Sequence, residues 1–265
     1  MPKVNVNDIE MYYELHGKGS PVVHISGLAG DARTWQRQIE HLSRHHQVLA
    51  FDNRGTGRSD CPNVPYSTRL FAEDTVGLMS AVGIERAHIY GISMGGCIVQ
   101  EIAINHPDRV LSCVINCSFA KFDRYGARIT ENLINVYRTQ GPAEAARHIT
   151  LFCYMPDYFN RRKDEIDAKE KSIGDAKRPA HAFINSAIAC LEHDARDRVA
   201  QIKAPTLVNC GTEDAWCAAR CSEELARLIP GARSKFYPNS SHFFLNEHYE
   251  ECMSDILAFL ASVKA

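Results

Sequence analysis

Several features are missing from this 265-residue chain, and each absence removes a class of function. No stretch approaches the ~18 consecutive apolar residues that a membrane span requires. Neither charge is in excess: 30 Lys and Arg stand against 32 Asp and Glu, a net charge of -2, with no long run of either sign. Such a chain has little electrostatic hold on nucleic acid or an anionic membrane, so neither is expected as a partner. The opening segment MPKVNVNDIEMYYELHG has no apolar core and does not read as a signal peptide. Ten cysteines are present but no CxxC pair, and several (Cys97, Cys113, Cys117, Cys210) lie in apolar segments. In a chain without an export signal they read as small core hydrophobes rather than disulfides, which places the protein in the reducing cytoplasm. Cys217 and Cys221 fall on one expected helix face, but no His or further Cys stands near them at zinc spacing, so no metal is expected. Internal repeats and low-complexity linkers are also absent.

What is present is alternation. Two strand-like segments, KVNVN and IEMYYELHG, flank the turn pair Asn7-Asp8. Apolar runs such as PVVHIS, HQVLAFD, AHIYG, RVLSCVINC, APTLVNCG and RSKFYP then alternate with segments of helical period. The closing segment LNEHYEECMSDILAFLASV puts Tyr249, Cys252, Met253, Ile256 and Leu260 on one face of a single predicted helix. Strands apolar along their whole length belong to a parallel sheet covered by helices on both faces, so the fold class is α/β. The alternation lapses over 119–199, which is charged and helical with aromatic clusters such as LFCYMPDYF. The chain therefore divides into a core formed by 1–118 and 200–265 and a helical cap, or lid, inserted at 119–199.

Within the core, YGISMGG places Ser93 between Gly91 and Gly95. A lone G-x-S-x-G means little, but here a strand precedes it and an apolar helix follows. That is the context of a sharp strand-to-helix turn that exposes a serine nucleophile. Side chains at 91 or 95 would collide across such a turn. Serine is a poor nucleophile without a base and an orienting acid, which in this architecture follow in the order acid, then histidine. Asp214, in GTEDAW, lies just beyond one late strand, and His242, in NSSHFF, just beyond the last. Both fall at carboxyl ends of strands, where open α/β sheets bind their ligands. Two N–H donors must also meet the oxyanion of the intermediate, and the backbone N–H groups of Met94 and Leu28 are the candidates.

The layout resembles the α/β-hydrolase fold superfamily over essentially the whole chain outside the insertion, which implies a mostly parallel eight-stranded sheet. FDNRGTGRSD is similar to that superfamily's D-x-R-G-x-G-x-S loop, GGCIVQEIAINHPDRV to its helix after the nucleophile, and GTEDAW and SHFFLNE to its acid and histidine loops. PYSTRLFAEDTVGLMSAVGIERAHIYGISMGG is most like the branch containing 3-oxoadipate enol-lactonases and related small-ester hydrolases. Two departures stand out. Ser26-Gly27 occupies the place where many members carry His-Gly, which leaves open what braces the oxyanion loop. Trp216 and Cys217 replace a proline common after the acid.

The expectation is a serine hydrolase of a small carboxylic ester or lactone, working through an acyl-enzyme with Ser93, Asp214 and His242 and requiring no metal or organic cofactor. Its partner is then a small-molecule ester or lactone, and a homo-oligomer is left open. Gly27, Trp216, Phe152 and Tyr154 are candidates for substrate contact. Asp52 and Arg54 read as a loop ion pair near the floor of the site, and the charged helix around Arg161 to Lys171 as the solvated face of the cap. Two rivals keep the fold: a C–C bond hydrolase of a β-diketone-like ring-fission product, and a ligand receptor that turns over slowly or not at all. Perhydrolysis would be a side activity of the same site.

Overall fold

The computed structural model describes residues 2–175 and 177–263. Eight strands form one sheet: β1 (Lys3–Val6), β2 (Ile9–His16), β3 (Pro21–Ile25), β4 (Gln47–Phe51), β5 (Ala87–Ile92), β6 (Val110–Asn116), β7 (Thr206–Gly211) and β8 (Arg233–Tyr237). Their spatial order is β1-β2-β4-β3-β5-β6-β7-β8. The two opening strands pair antiparallel, with Val6 opposite Ile9 across the Asn7-Asp8 turn, and β2 runs antiparallel to β4. Every pairing from β4 to β8 is parallel.

The helices that cover the sheet are α1 (Gln36–Leu42), α2 (Thr68–Ala81) and α3 (Met94–Asn105) in the first half of the chain. A run of five, α4 (Arg124–Gln140), α5 (Pro142–Cys153), α6 (Pro156–Arg161), α7 (Lys163–Gly174) and α8 (Ala180–Glu192), separates β6 from β7. Three more, α9 (Ala219–Leu228), α10 (Phe244–Glu247) and α11 (Tyr249–Ser262), complete the described chain. Strand side chains alternate between faces, so neighbours in sequence enter different cores. Val23, Leu49, Ile89 and Ile115 pack with Phe71 and Met79 of α2 and Ile98 and Ile102 of α3. Val22, Val48, Tyr90 and Val114 pack with Ile39 and Leu42 of α1 and Met253 and Ile256 of α11. Strands β5, β6 and β7 are buried at every position, which explains why their sequences lack polar alternation. No helix of the described residues is long and apolar enough to cross a membrane.

A ladder of amides fixes the carboxyl ends of the central strands. Asn209 Nδ2 donates to Asn116 Oδ1 at 3.0 Å, and Asn116 Nδ2 donates to the Gly91 carbonyl at 3.1 Å. The segments that leave β6 and return toward β7 run side by side: Lys121 and Asp194 form a bridge and an ion pair at 2.7 Å, and Ala195 N–H donates to the Ala120 carbonyl at 2.8 Å.

The structure departs from the sequence reading in three places. The closing segment is two helices, broken at His248 (φ -120°, ψ 41°), whose ring faces the Pro238 carbonyl at 2.9 Å. Helix α9 begins at Ala219, so Cys217 lies in the loop before it and shares no helix face with Cys221. Finally, Asp52 and Arg54 do not pair. Arg54 is wholly buried and reaches Asp74 on α2 (Nε–Oδ2 2.7 Å) and Asp8 in the first turn (Nη2–Oδ1 2.6 Å), while Asp52 takes Arg58 (Nε–Oδ2 2.7 Å).

Candidate active site

Ser93 stands between β5 and α3 with φ 57° and ψ -118°, a conformation non-glycine residues rarely adopt and one that costs on the order of 1–3 kcal/mol. Its surroundings hold it there. Its N–H donates to the Asn116 carbonyl at 2.8 Å, and its carbonyl accepts from Gly96 N–H at 2.8 Å and Ser118 Oγ at 2.9 Å. The flanking glycines are sterically required: a Cβ on Gly91 would lie 2.3 Å from the Gly95 carbonyl oxygen, and one on Gly95 would lie 2.3 Å from that of Ile25. Met94 opens α3, where the first N–H groups have no acceptor inside the helix and favour negative charge nearby.

Opposite α3 lies the loop Gly27–Gly30, in which Ala29 has φ 65°. Three contacts brace it in place of the missing histidine. Asn53 Nδ2 donates to the Ser26 carbonyl at 3.2 Å, Gly30 N–H to the Gly27 carbonyl at 3.1 Å, and Arg178 Nη2 to the Ala29 carbonyl at 3.1 Å.

Asp214 follows β7 and His242 follows β8, and both are almost fully buried. His242 Nδ1 is 2.7 Å from Asp214 Oδ2, while Asp214 Oδ1 accepts from the N–H groups of Trp216 and Cys217, each at 2.9 Å. With Nδ1–H given to the carboxylate, Nε2 is the nitrogen left to accept a proton. The Trp216 and Phe243 rings flank the imidazole, with centroids 5.6 and 5.9 Å away. Glu247 fixes the histidine loop by accepting from Ser241 N–H at 2.6 Å and Met155 N–H at 2.7 Å, and burial pushes its carboxyl upward. Ser93 Oγ lies 4.0 Å from Cys217 Sγ, and among the described residues it makes no hydrogen bond to His242. In unliganded enzymes such bonds are often long and tighten only with substrate in place.

Cys117 Sγ, an Asp214 carboxylate oxygen and a His242 ring nitrogen lie within 4.8 Å of one another, a set that could in principle hold a metal ion. Two facts oppose it. Asp214 and His242 already satisfy each other, and burial pushes the Cys117 thiol well above its usual range, away from the thiolate a metal requires.

Ser93, His242, Gly27, Leu28 and Trp216 all line one cavity of about 30 Å³, room for about two water molecules. Phe152 and Tyr154 do not. On α5 the residues that face the cavity are Ile149 and Cys153, one turn apart, so Phe152 points elsewhere. Tyr154 ends that helix and stacks on Tyr158 with centroids 5.2 Å apart. The sequence reading missed Trp35, Phe243, Lys169 and Ile173, which complete the wall. Lys169 and Ile173 belong to α7, the helix expected to be solvated. A signal was there: Ile166, Lys169 and Ile173 recur at helical spacing on one face, and Ile166 is buried.

A model of the alpha/beta hydrolase fold matches residues 20–249. The chain belongs to the α/β-hydrolase fold family. It is 33% identical over 244 residues to a protein of Azorhizobium caulinodans provisionally named carbamate hydrolase RutD, covering 92% of both chains. The enol-lactonase of Burkholderia xenovorans superimposes with a TM-score of 0.92 at 27% identity, covering 98% of this chain and 100% of that one. An enzyme described as degrading N-acyl homoserine lactones is 25% identical, with a TM-score of 0.84 over 97% of this chain and 100% of its own.

Proposed function

We propose that this hydrolase cleaves a small carboxylic ester or lactone through an acyl-enzyme on Ser93. The observation that carries the reading is the 2.7 Å contact between His242 Nδ1 and Asp214, in a cavity shared with the serine of the turn. His242 Nε2 takes the Ser93 proton as Oγ attacks the carbonyl carbon, and the N–H groups of Met94 and Leu28 receive the oxyanion. Collapse of the intermediate expels the alkoxide, which takes the proton back from His242. The imidazole then activates water to release the acid. Asp214 keeps Nδ1 protonated and stabilises the imidazolium that forms in both steps. Residues 119–199 act as a cap over this floor, with Ile149 and Cys153 of α5 and Lys169 and Ile173 of α7 lining the cavity.

A second reading is favoured by the relative named for carbamate hydrolysis. The same machinery attacks a carbamate carbonyl, and only the fit of the nitrogen-bearing acyl group differs. The test is a panel of aryl esters from acetyl to decanoyl, several lactones and the matching carbamates, run with wild type and Ser93→Ala together. Turnover confined to wild type and peaking on one short ester or ring supports the reading. Turnover that survives in Ser93→Ala would overturn it, and turnover of carbamates alone would favour the second reading.

A further inference from the structure

Lys169 places a cation in the cavity wall. Its Nζ lies 5.4 Å from the Trp35 ring centroid and 5.2 Å from that of Phe243, and it lines the same cavity as Ser93 and His242. Among the described residues it forms no salt bridge. The acids that act on it electrostatically, Asp31 in the loop after β3 and Glu165 one turn earlier on α7, are committed elsewhere. Asp31 caps the short turn at Ala32 and holds Arg33 (Nε–Oδ2 3.1 Å), while Glu165 accepts from Tyr158 Oη at 2.8 Å. The remaining neighbour is the buried thiol of Cys153 on α5.

Trp35 adds a second donor to the cavity wall, and Arg178 braces the loop beside it. The indole N–H of Trp35 is buried and has no acceptor among the described residues, and Nε1 lies 3.3 Å from where a Cβ on Gly30 would sit. Arg178, whose Nη2 holds the Ala29 carbonyl, leaves Nη1 buried and without an acceptor among the described residues. A cation and an indole donor set against a hydrolytic centre, with every nearby carboxylate engaged, form an incomplete ion pair. Lys169 is half-buried, and taking its charge out of water has a cost that an anionic partner would offset.

We propose that the substrate completes it: the ester or lactone opened at Ser93 carries a free carboxylate that pairs with Lys169, with Trp35 Nε1–H as a second donor. This rests on the ester or lactone reading and narrows it to short, anionic substrates. It also gives a pH signature. Burial lowers the Lys169 ammonium to about 8, so the charged form is present below that pH and lost above it. Preference for an anion therefore falls as pH rises through about 8, whereas a neutral ester has no such dependence through Lys169.

The test compares kcat/KM for an anionic and a neutral substrate of equal length. The pairs are monomethyl glutarate with methyl valerate (carboxylate in the acyl part) and acetoxyacetate with ethyl acetate (carboxylate in the leaving part). The readout is the ratio of anionic to neutral. In at least one pair wild type should favour the anion, and Lys169→Met should lower that ratio by at least about 30-fold, with Lys169→Arg restoring most of it. The wild-type preference should decline above about pH 8. Ratios that stay the same in Lys169→Met for both pairs would overturn the proposal. A second arm needs no turnover: glutarate binding to Ser93→Ala by calorimetry, with and without Lys169→Met. Binding that weakens at least about 30-fold supports the subsite even if no ester is cleaved, in which case the ester reading alone fails. Esters cleaved with no Lys169-dependent difference in ratio or binding would sink the subsite and leave the ester reading standing.

Discussion

The floor and the roof of this cavity are built by different rules. On the floor, the groups that matter are held mostly by backbone: Ser93 by the Asn116 carbonyl, the Gly96 N–H and the Ser118 hydroxyl, and Asp214 by the N–H groups of Trp216 and Cys217. The roof contributes Ile149, Cys153, Lys169 and Ile173 from two helices. Among its hydrogen bonds to the floor near the cavity are Trp216 Nε1 to Thr130 Oγ1 at 2.9 Å, Phe243 N–H to the Cys153 carbonyl at 2.8 Å, Met155 N–H to Glu247 at 2.7 Å, Arg178 Nη2 to the Ala29 carbonyl at 3.1 Å and Ser241 Oγ to the Phe152 carbonyl at 3.2 Å. Chemistry that must hold its geometry sits where strands, turns and amide ladders over-determine it. Selection of substrate sits on helices joined to that base by such contacts, where side chains can change without disturbing the reacting groups.

That contrast can be broken at several points. The largest effect is expected from Ser93→Ala, which removes the attacking atom and should lower kcat by on the order of 10⁵–10⁶. Its melting temperature should stay at or near the wild-type value, because the hydrogen bonds that hold residue 93 are all made by backbone atoms of that residue. Asp214→Asn should follow at about 10⁴ in kcat, since an amide would stabilise the wrong imidazole tautomer. Steady-state rates with one activated ester measure both. Asp74→Ala tests the floor away from the chemistry. It would leave Arg54 buried against the more exposed Asp8 alone, and should cost about 3–5 kcal/mol of unfolding free energy in denaturant melts. The smallest effect is expected at the seam. Trp216→Phe deletes the bond to Thr130, whose hydroxyl still donates to the Gly126 carbonyl at 3.0 Å, so about 1–2 kcal/mol of stability should be lost. Substrate preference should shift more than kcat on the preferred ester. A collapse of kcat there would mean that roof and floor are one catalytic unit.

The same division governs what could be read from the sequence. The floor was legible because its geometry leaves few residue choices: Gly91 and Gly95 admit no side chain, and Asp214 and His242 must follow strands. The alternation of buried strands with helices gave the sheet for the same reason. Pairings between distant elements were not legible. Arg54 lies two residues from Asp52 and finds its partners on α2 and in the first turn, both far from it in sequence. In the roof, LFCYMPDYF drew attention to its aromatic rings, yet the α5 residues that face the cavity are the aliphatic Ile149 and the thiol Cys153. Lys169 was concealed among the charges of DEIDAKEKSI, where one lysine on the Ile166–Ile173 face looks like any solvated residue. Composition reports how polar a helix is. Only its phase reports which charge has been turned inward.

The account stands or falls on Ser93 as the nucleophile. The most direct measurement is mass spectrometry of the protein quenched acid-cold during turnover of a short aryl ester, followed by peptide mapping. The expected result is a transient acyl mass on the peptide containing Ser93, absent in Ser93→Ala and much slower to form in His242→Ala, where Ser93 lacks its base. No adduct in wild type during active turnover, or an acyl mass on another residue with Ser93→Ala still active, would contradict it.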